Sequence, residues 1–170
     1  MSKAFTRESD DVPERPVLSR LPSLLPPGEK NYLTPGGARH MREELERLVE
    51  VERPRMAAAP DAGEAKRQLQ ALDQRIHQLH ESLQSAEIVG PPTVPWDEVR
   101  FGATITVRDS RGSESRYRIV GIDEADVDRD WVSWLSPIAR ALLNGRLGQH
   151  IRFRFPAGEE ELEIVSIAYE

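Results

Sequence analysis

The sequence predicts an α+β protein: an N-terminal antiparallel coiled-coil helical hairpin, followed by a small antiparallel sheet domain carrying one helix. Three observations predict it. Two amphipathic runs, Ala38 to Met56 and Glu64 to Ile88, are separated only by the break at Ala58-Ala59-Pro60-Asp61-Ala62-Gly63. From Val99 onward the hydrophobic period falls from helical spacing to two. A serine–proline helix start, Ser136-Pro137, then interrupts the strands.

In the second run Leu69, Leu72, Ile76, Leu79, Leu83 and Ala86 alternate spacings of three and four, which lines one stripe of a helix. The first run repeats the pattern with Ala38, Met41, Leu45 and Leu48. So short a break returns the chain antiparallel, and each stripe finds its burial against the other. Thr34-Pro35 starts the hairpin as an N-cap followed by proline at the first helical position, where the missing N–H costs nothing. Pro54 is expected to kink the first helix or move its seam from Leu48 toward Val51. Gly90-Pro91-Pro92 and Pro95 end the second helix, giving a hairpin over 31–89 and a linker over 90–98.

Residues 99–170 read as the second domain. Ala103, Ile105 and Val107 alternate with Thr104, Thr106 and Arg108; after a turn at Asp109 to Gly112, Tyr117 and Ile119 alternate with Arg116 and Arg118. An acidic loop (Asp123, Glu124, Asp126, Asp128, Asp130) leads to a short strand, Trp131 to Leu135. A helix follows over Ser136 to Asn144, with Ser136 as N-cap and Gly145 past its end. Ile151, Phe153 and Phe155, and then Leu162 and Ile164 beyond the Pro156-Ala157-Gly158 turn, complete five short strands.

Composition narrows the function. At 170 residues the chain fits two small domains, or one with an extended element. A net charge of −6 argues against general adhesion to a phosphate backbone, which needs clustered Lys and Arg. The absence of cysteine removes disulfides, thiolate ligands and a Cys nucleophile. The opening MSKAFTRESDD lacks an apolar signal core and no apolar run of about 18 residues occurs, so a cytoplasmic, membrane-free protein is expected. Residues 1–30 carry five prolines among charges and are expected to form a flexible tail.

The segments MSKAFTRE, NYLTPGG (Asn31 to Gly37), VERP (Val51 to Pro54), KRQLQALDQRI (Lys66 to Ile76) and SWLSPIARALLNGRLG (Ser133 to Gly148) together resemble the bacterial Gre transcription factors, the GreB members more than the GreA ones. The resemblance implies an FKBP-like C-terminal domain that docks on RNA polymerase at the mouth of its secondary channel. The hairpin would point down that channel toward the catalytic centre, where family members stimulate cleavage of backtracked RNA. It also implies docking through Leu135, Ser136 and Pro137, and a basic patch facing RNA or the transcription complex at Arg53, Arg55, Lys66, Arg67 and Arg75. A monomer is expected that is not itself an enzyme and holds no cofactor stably, Mg²⁺ entering only as the polymerase's own ion.

The departure lies at the tip. Similar Gre factors carry an acidic Asp/Glu-Asn-Ala-Glu-type segment there, whose carboxylates help hold a second Mg²⁺ and its water. Between VERP and KRQL this chain has only Arg55 to Ala65, roughly six residues fewer per arm, so the rod ends ~10 Å short. Two acids remain, Asp61 and Glu64. They are either a relocated metal pair or a capping box, and the D-x-x-E spacing matches the box. Transcript cleavage is accordingly expected to be weak or absent, a conventional cleavage factor being the alternative.

Other candidates read as structural. His77 and His80 are three apart but lie off the leucine stripe with no third ligand fixed by the pattern. Trp131 and Trp134 in a short strand suit core on one side and rim on the other. Ser136 lacks a nucleophile elbow and reads as an N-cap. A prolyl isomerase would need a proline pocket for which aromatics are too few, and a purely structural adaptor would not explain the C-terminal resemblance.

Overall fold

The computed structural model describes residues 25–58, 62–93 and 95–170, so most of the expected tail lies outside the described residues. Helix α1 (Pro35–Arg47) starts as its sequence dictates: the Thr34 hydroxyl accepts the Gly37 N–H at 3.0 Å and Pro35 takes the first position. α3 (Ala62–Ser85) returns against it. Leu33, Ala38, Met41, Leu48, Leu72 and Leu79 are buried between the arms, with Leu45, Met56, Leu69, Ile76, Leu83 and Ala86 packed around them. The predicted stripes therefore face each other.

Pro54 acts differently from its expected role. The first arm passes through a π turn, Leu48–Glu52, in which the Arg53 N–H donates to the Leu48 carbonyl, and then resumes as α2 (Arg53–Ala57). Proline has no N–H to give the carbonyl four residues back, so widening the turn before it spares the helix a sharp kink. The seam does not move to Val51, which is 59% exposed; it resumes at Met56.

The second run also ends sooner than its hydrophobicity suggests. Ala86–Ile88 is a strand, β2, pairing in parallel with β1 (Asn31–Leu33) across the hairpin base. The Asn31 amide donates to the Ser82 carbonyl at 3.0 Å and to the Ser85 hydroxyl at 3.1 Å, tying the incoming strand to the helix end. The Ser85 hydroxyl turns back on the Glu81 carbonyl, a bond that competes with helix continuation.

Residues beyond the linker form a five-stranded sheet in the order β5-β4-β3-β7-β6. Its strands are β3 (Thr104–Asp109), β4 (Glu114–Val120), β5 (Trp131–Ser133), β6 (His150–Phe155) and the long β7 (Gly158–Ala168). The sheet is not wholly antiparallel: β5 runs parallel to β4, because the acidic loop crosses over through two 3₁₀ turns, Ile122–Glu124 and Val127–Arg129, before pairing. Ile105, Val107, Ile119 and Ile164 form the core, which α4 (Pro137–Leu142) covers with Ala139 and Leu142. α4 ends before the predicted glycine: Asn144 takes the left-handed conformation, at φ 64°. Gly145 is needed for space, since a Cβ there would lie 2.6 Å from Ile164 Cδ1.

The acidic loop is not uniformly solvated. Glu124 is buried between the hairpin base and the sheet. One of its oxygens accepts the Thr34 N–H at 2.9 Å and the Gly121 N–H at 3.0 Å, and the other accepts the Thr34 hydroxyl. The neighbouring Asp123 accepts the Ser82 hydroxyl of α3. Tyr32 packs edge-on against Trp134 and tilted against Phe101, with centroids at 5.0 and 5.6 Å.

Candidate functional site

Two surfaces carry the residues that the sequence singled out, and they lie at different ends of the molecule's chemistry. The first is the hairpin, from its middle, where Arg75 lies, to its far end. Arg53, Arg55, Lys66, Arg67 and Arg75 are all exposed on its two arms, but they divide by partner. Arg53 Nε donates to Asp73 at 2.8 Å, and Arg75 holds Glu44 through two bonds of 2.8 and 3.0 Å, each pair crossing from one arm to the other. The partner carboxylates raise both guanidinium pKa values through hydrogen bonding and charge. Both pairs run from arm to arm rather than along one helix. They brace the rod, whereas Arg55, Lys66 and Arg67 form no ion pair among the described residues.

Asp61 lies outside the described residues. Glu64, in the first turn of α3, is exposed and accepts the Gln68 side-chain N–H at 3.1 Å. The capping box expected from the D-x-x-E spacing turns on Asp61 and so falls outside the described residues with it. Among the described residues no three Asp, Glu or His side chains converge on a metal-sized site. His77 meets Glu81 at 3.2 Å on the exposed face of α3, and His80 is exposed.

The second surface is the turn between β5 and α4. The Ser136 hydroxyl accepts the Ala139 N–H at 3.3 Å, its own N–H donates to the Ser133 carbonyl at 2.8 Å, and the Leu135 N–H donates to the Ser133 hydroxyl at 3.2 Å. The turn is thus stiffened on both sides of Ser136, leaving Leu135 half-buried and Pro137 exposed on a fixed backbone. Trp134 anchors it from beneath, its backbone N–H bonded to the Val120 carbonyl and its ring against Tyr32. Trp131 faces the rim instead, with the guanidinium groups of Arg118 and Arg129 at 4.8 and 5.3 Å from its ring. What sequence reasoning missed is Glu124, which looked like one more acid in a polar loop; its single distinguishing signal is the preceding Gly121, whose close approach to Tyr32 leaves no room for a side chain.

Residues 93–169 match the family model described as transcription elongation factor, GreA/GreB, C-term. The chain is 38% identical to the transcription elongation factor GreB of Neisseria meningitidis over 154 residues, covering 82% of this chain and 94% of that protein. It is 40% identical to GreA of Alkalilimnicola ehrlichii over 152 residues, covering 81% and 96%. Among solved structures it matches the GreA/GreB factor of Nitrosomonas europaea at 23% identity and a TM-score of 0.42, over 82% of this chain and all of that one. The alignment with the Neisseria protein spans 154 positions, of which this chain fills about 139, or 82% of its 170 residues, so this chain is shorter by roughly 15 residues over the matched stretch.

Proposed function

This chain belongs to the GreA/GreB family of transcription elongation factors, and from that premise we propose that it acts on RNA polymerase by occupying the secondary channel with a shortened rod, stimulating transcript cleavage weakly or not at all. In this reading the sheet unit is an FKBP-like docking domain that grips the channel mouth through Leu135, Ser136 and Pro137. The hairpin, packed as an antiparallel coiled coil, enters the channel. Arg55, Lys66 and Arg67 approach RNA phosphates near its end, while Arg53 and Arg75 hold the two arms together. The protein supplies no cofactor and catalyses nothing by itself; the metal ion is the polymerase's.

The observation that carries the reading is the tip. α3 has 24 residues, which at about 1.5 Å each gives a rod of roughly 36 Å. Of the two acids near its start, Glu64 accepts from Gln68, and the cations Lys66 and Arg67 are exposed on the same stretch of helix. A second Mg²⁺ needs hard oxygen ligands converging on one point, and a cationic surround opposes that.

The test uses the full chain and purified polymerase. Saturable binding is expected, weakened by the double substitution Ser136→Asp/Pro137→Ala, together with little RNA cleavage on backtracked complexes in Mg²⁺. Robust cleavage by the unmodified protein would establish the conventional Gre mechanism instead. Unchanged binding by the double variant would remove the docking assignment.

A further inference from the structure

We infer that Glu124 is a positioning residue that sets the direction of the hairpin relative to the sheet unit, by serving as an acceptor seat for the first turn of α1. This rests on the proposed insertion of the hairpin, since direction matters only for a rod that must enter something.

The geometry is that of a helix cap completed from another part of the fold. Thr34 is the N-cap of α1, and its hydroxyl accepts the Gly37 N–H as an N-cap should. The same hydroxyl then donates onward to Glu124, and the Thr34 N–H donates to the other oxygen of that carboxylate. A negative group at the start of a 13-residue helix also meets the positive end of its dipole. The Gly121 N–H completes the set, fixing the carboxylate to its own turn. Residue 34 is thereby tied to residue 124 through directional bonds, which hold an angle in a way that apolar contact does not.

Two glycines show that the seat is fitted. A Cβ on Gly37 would lie 1.9 Å from Glu124 Oε1, and a Cβ on Gly121 would lie 2.2 Å from the Tyr32 carbonyl. The approach of α1 to the carboxylate thus requires hydrogen at both places. Beside the seat the junction is open: a cleft of about 260 Å³, lined by Thr34, Pro35, Arg39, Val89, Gly102 and Tyr169, lies between the hairpin base and the sheet. Tyr32 against Phe101 and Trp134 supplies adhesion there, and Ser82 with Asp123 a second polar tie. Neither constrains the helix axis at its origin.

The chain has no cysteine, so spin labels at Gln70→Cys on α3 and Arg111→Cys in the β3–β4 turn report hairpin direction in the otherwise intact protein by pulsed electron resonance. One narrow distance is expected for the parent. Glu124→Ala leaves two N–H groups and a hydroxyl without their acceptor, and should broaden it. Glu124→Gln should restore it, because the amide oxygen can take both N–H groups while its NH₂ donates to the Thr34 hydroxyl. Gly37→Ala should broaden it from the other side, although alanine in a helix is otherwise favourable; this variant leaves Glu124 intact. A narrow, unshifted distance in Glu124→Ala or in Gly37→Ala would overturn the inference, as would broadening in Glu124→Gln equal to that in Glu124→Ala. With polymerase, Glu124→Ala should bind as the parent does and lose its effect on elongation. If the distance broadens and the effect persists, the seat stands and the insertion reading fails.

Discussion

Lengthening the rod separates reach from charge. Seven residues inserted after Arg55 and seven after Gln70 would keep Met56 and Leu69 as the outermost apolar layer while adding one heptad to each arm. Seven residues make close to two turns, drifting by only ~20°, so the stripes of Leu48 and Leu72 continue in register across the insertion. At about 1.5 Å per residue the tip advances ~10 Å, from a rod of roughly 36 Å to one of roughly 46 Å. The cross-arm pairs Arg53–Asp73 and Arg75–Glu44 lie on the base side of both insertions and are retained. Two extended forms are needed: one with the present tip and one with an acidic Asp/Glu-Asn-Ala-Glu-type tip. Cleavage of RNA in backtracked complexes, scored on gels in Mg²⁺, is expected only for the extended acidic form. The unextended rod bearing the same acidic tip should stay inactive, its carboxylates held some 10 Å from the site, far beyond the ~2 Å of a metal–oxygen bond. Activity of that short acidic form would refute the reach argument. So would inactivity of the extended acidic form with binding to polymerase retained.

Three further outcomes follow from the packing. Leu79→Ala, at a fully buried position between the arms, should lower unfolding free energy by about 2–5 kcal/mol in denaturant titrations, with the loss carried by the helical signal. Removing Arg75, Glu44 or both in a double-mutant cycle should show a coupling of only about 0.5 kcal/mol, shrinking as salt is added, because both side chains are partly exposed. Tyr169 donates its hydroxyl to the Glu98 carbonyl at 2.7 Å and accepts the Arg100 N–H at 2.9 Å, and burial raises its pKa above the ordinary phenol value. The stability it contributes is complete below about pH 10, where the unfolded phenol also stays neutral, and is lost as pH rises through the folded pKa; Tyr169→Phe should remove that alkaline component from a stability–pH profile.

Elements whose signal is local were legible in the sequence. Thr34 and Ser136 read as caps because a hydroxyl followed by proline has few other uses, and both accept the N–H three residues on. The leucine stripes read correctly because a helix repeats its face every turn. The errors fall where two local rules compete. Pro54 had to disturb the helix, but sequence does not say whether by kink or by an added residue, and the π turn is the less disruptive answer in a packed arm. Ala86 fitted the stripe and does pack with it, yet it stands on a strand, since the side chain of Asn31, some fifty residues away, engages the helix end first. The parallel pairing of β5 was hidden for the same reason: its direction depends on how the loop between 120 and 131 crosses over, which no periodicity encodes. Along the hairpin, the basic residues were visible, but their division into bracing pairs and cations with no ion pair among the described residues depends on the register between arms.

The junction shows the limit most clearly. A rod's length is written in its own residues, one rise at a time, and a reader can measure it from the number of heptads. Its direction is not. Direction is fixed where the rod leaves the rest of the molecule, here by a carboxylate ninety positions downstream that meets the backbone of the helix's N-cap residue, Thr34. Glu124 stands among Asp123, Asp126, Asp128 and Asp130, and composition alone assigns all five to solvent. What separates it is that three donors converge on it and two glycines make way, facts that exist only once the chain has folded. A buried carboxylate so fully satisfied is costly to disturb, since removing it strands every donor at once. Under the proposed insertion of the hairpin, a site of this kind is as consequential as the tip, and a change in it alters where the tip goes without touching any residue there.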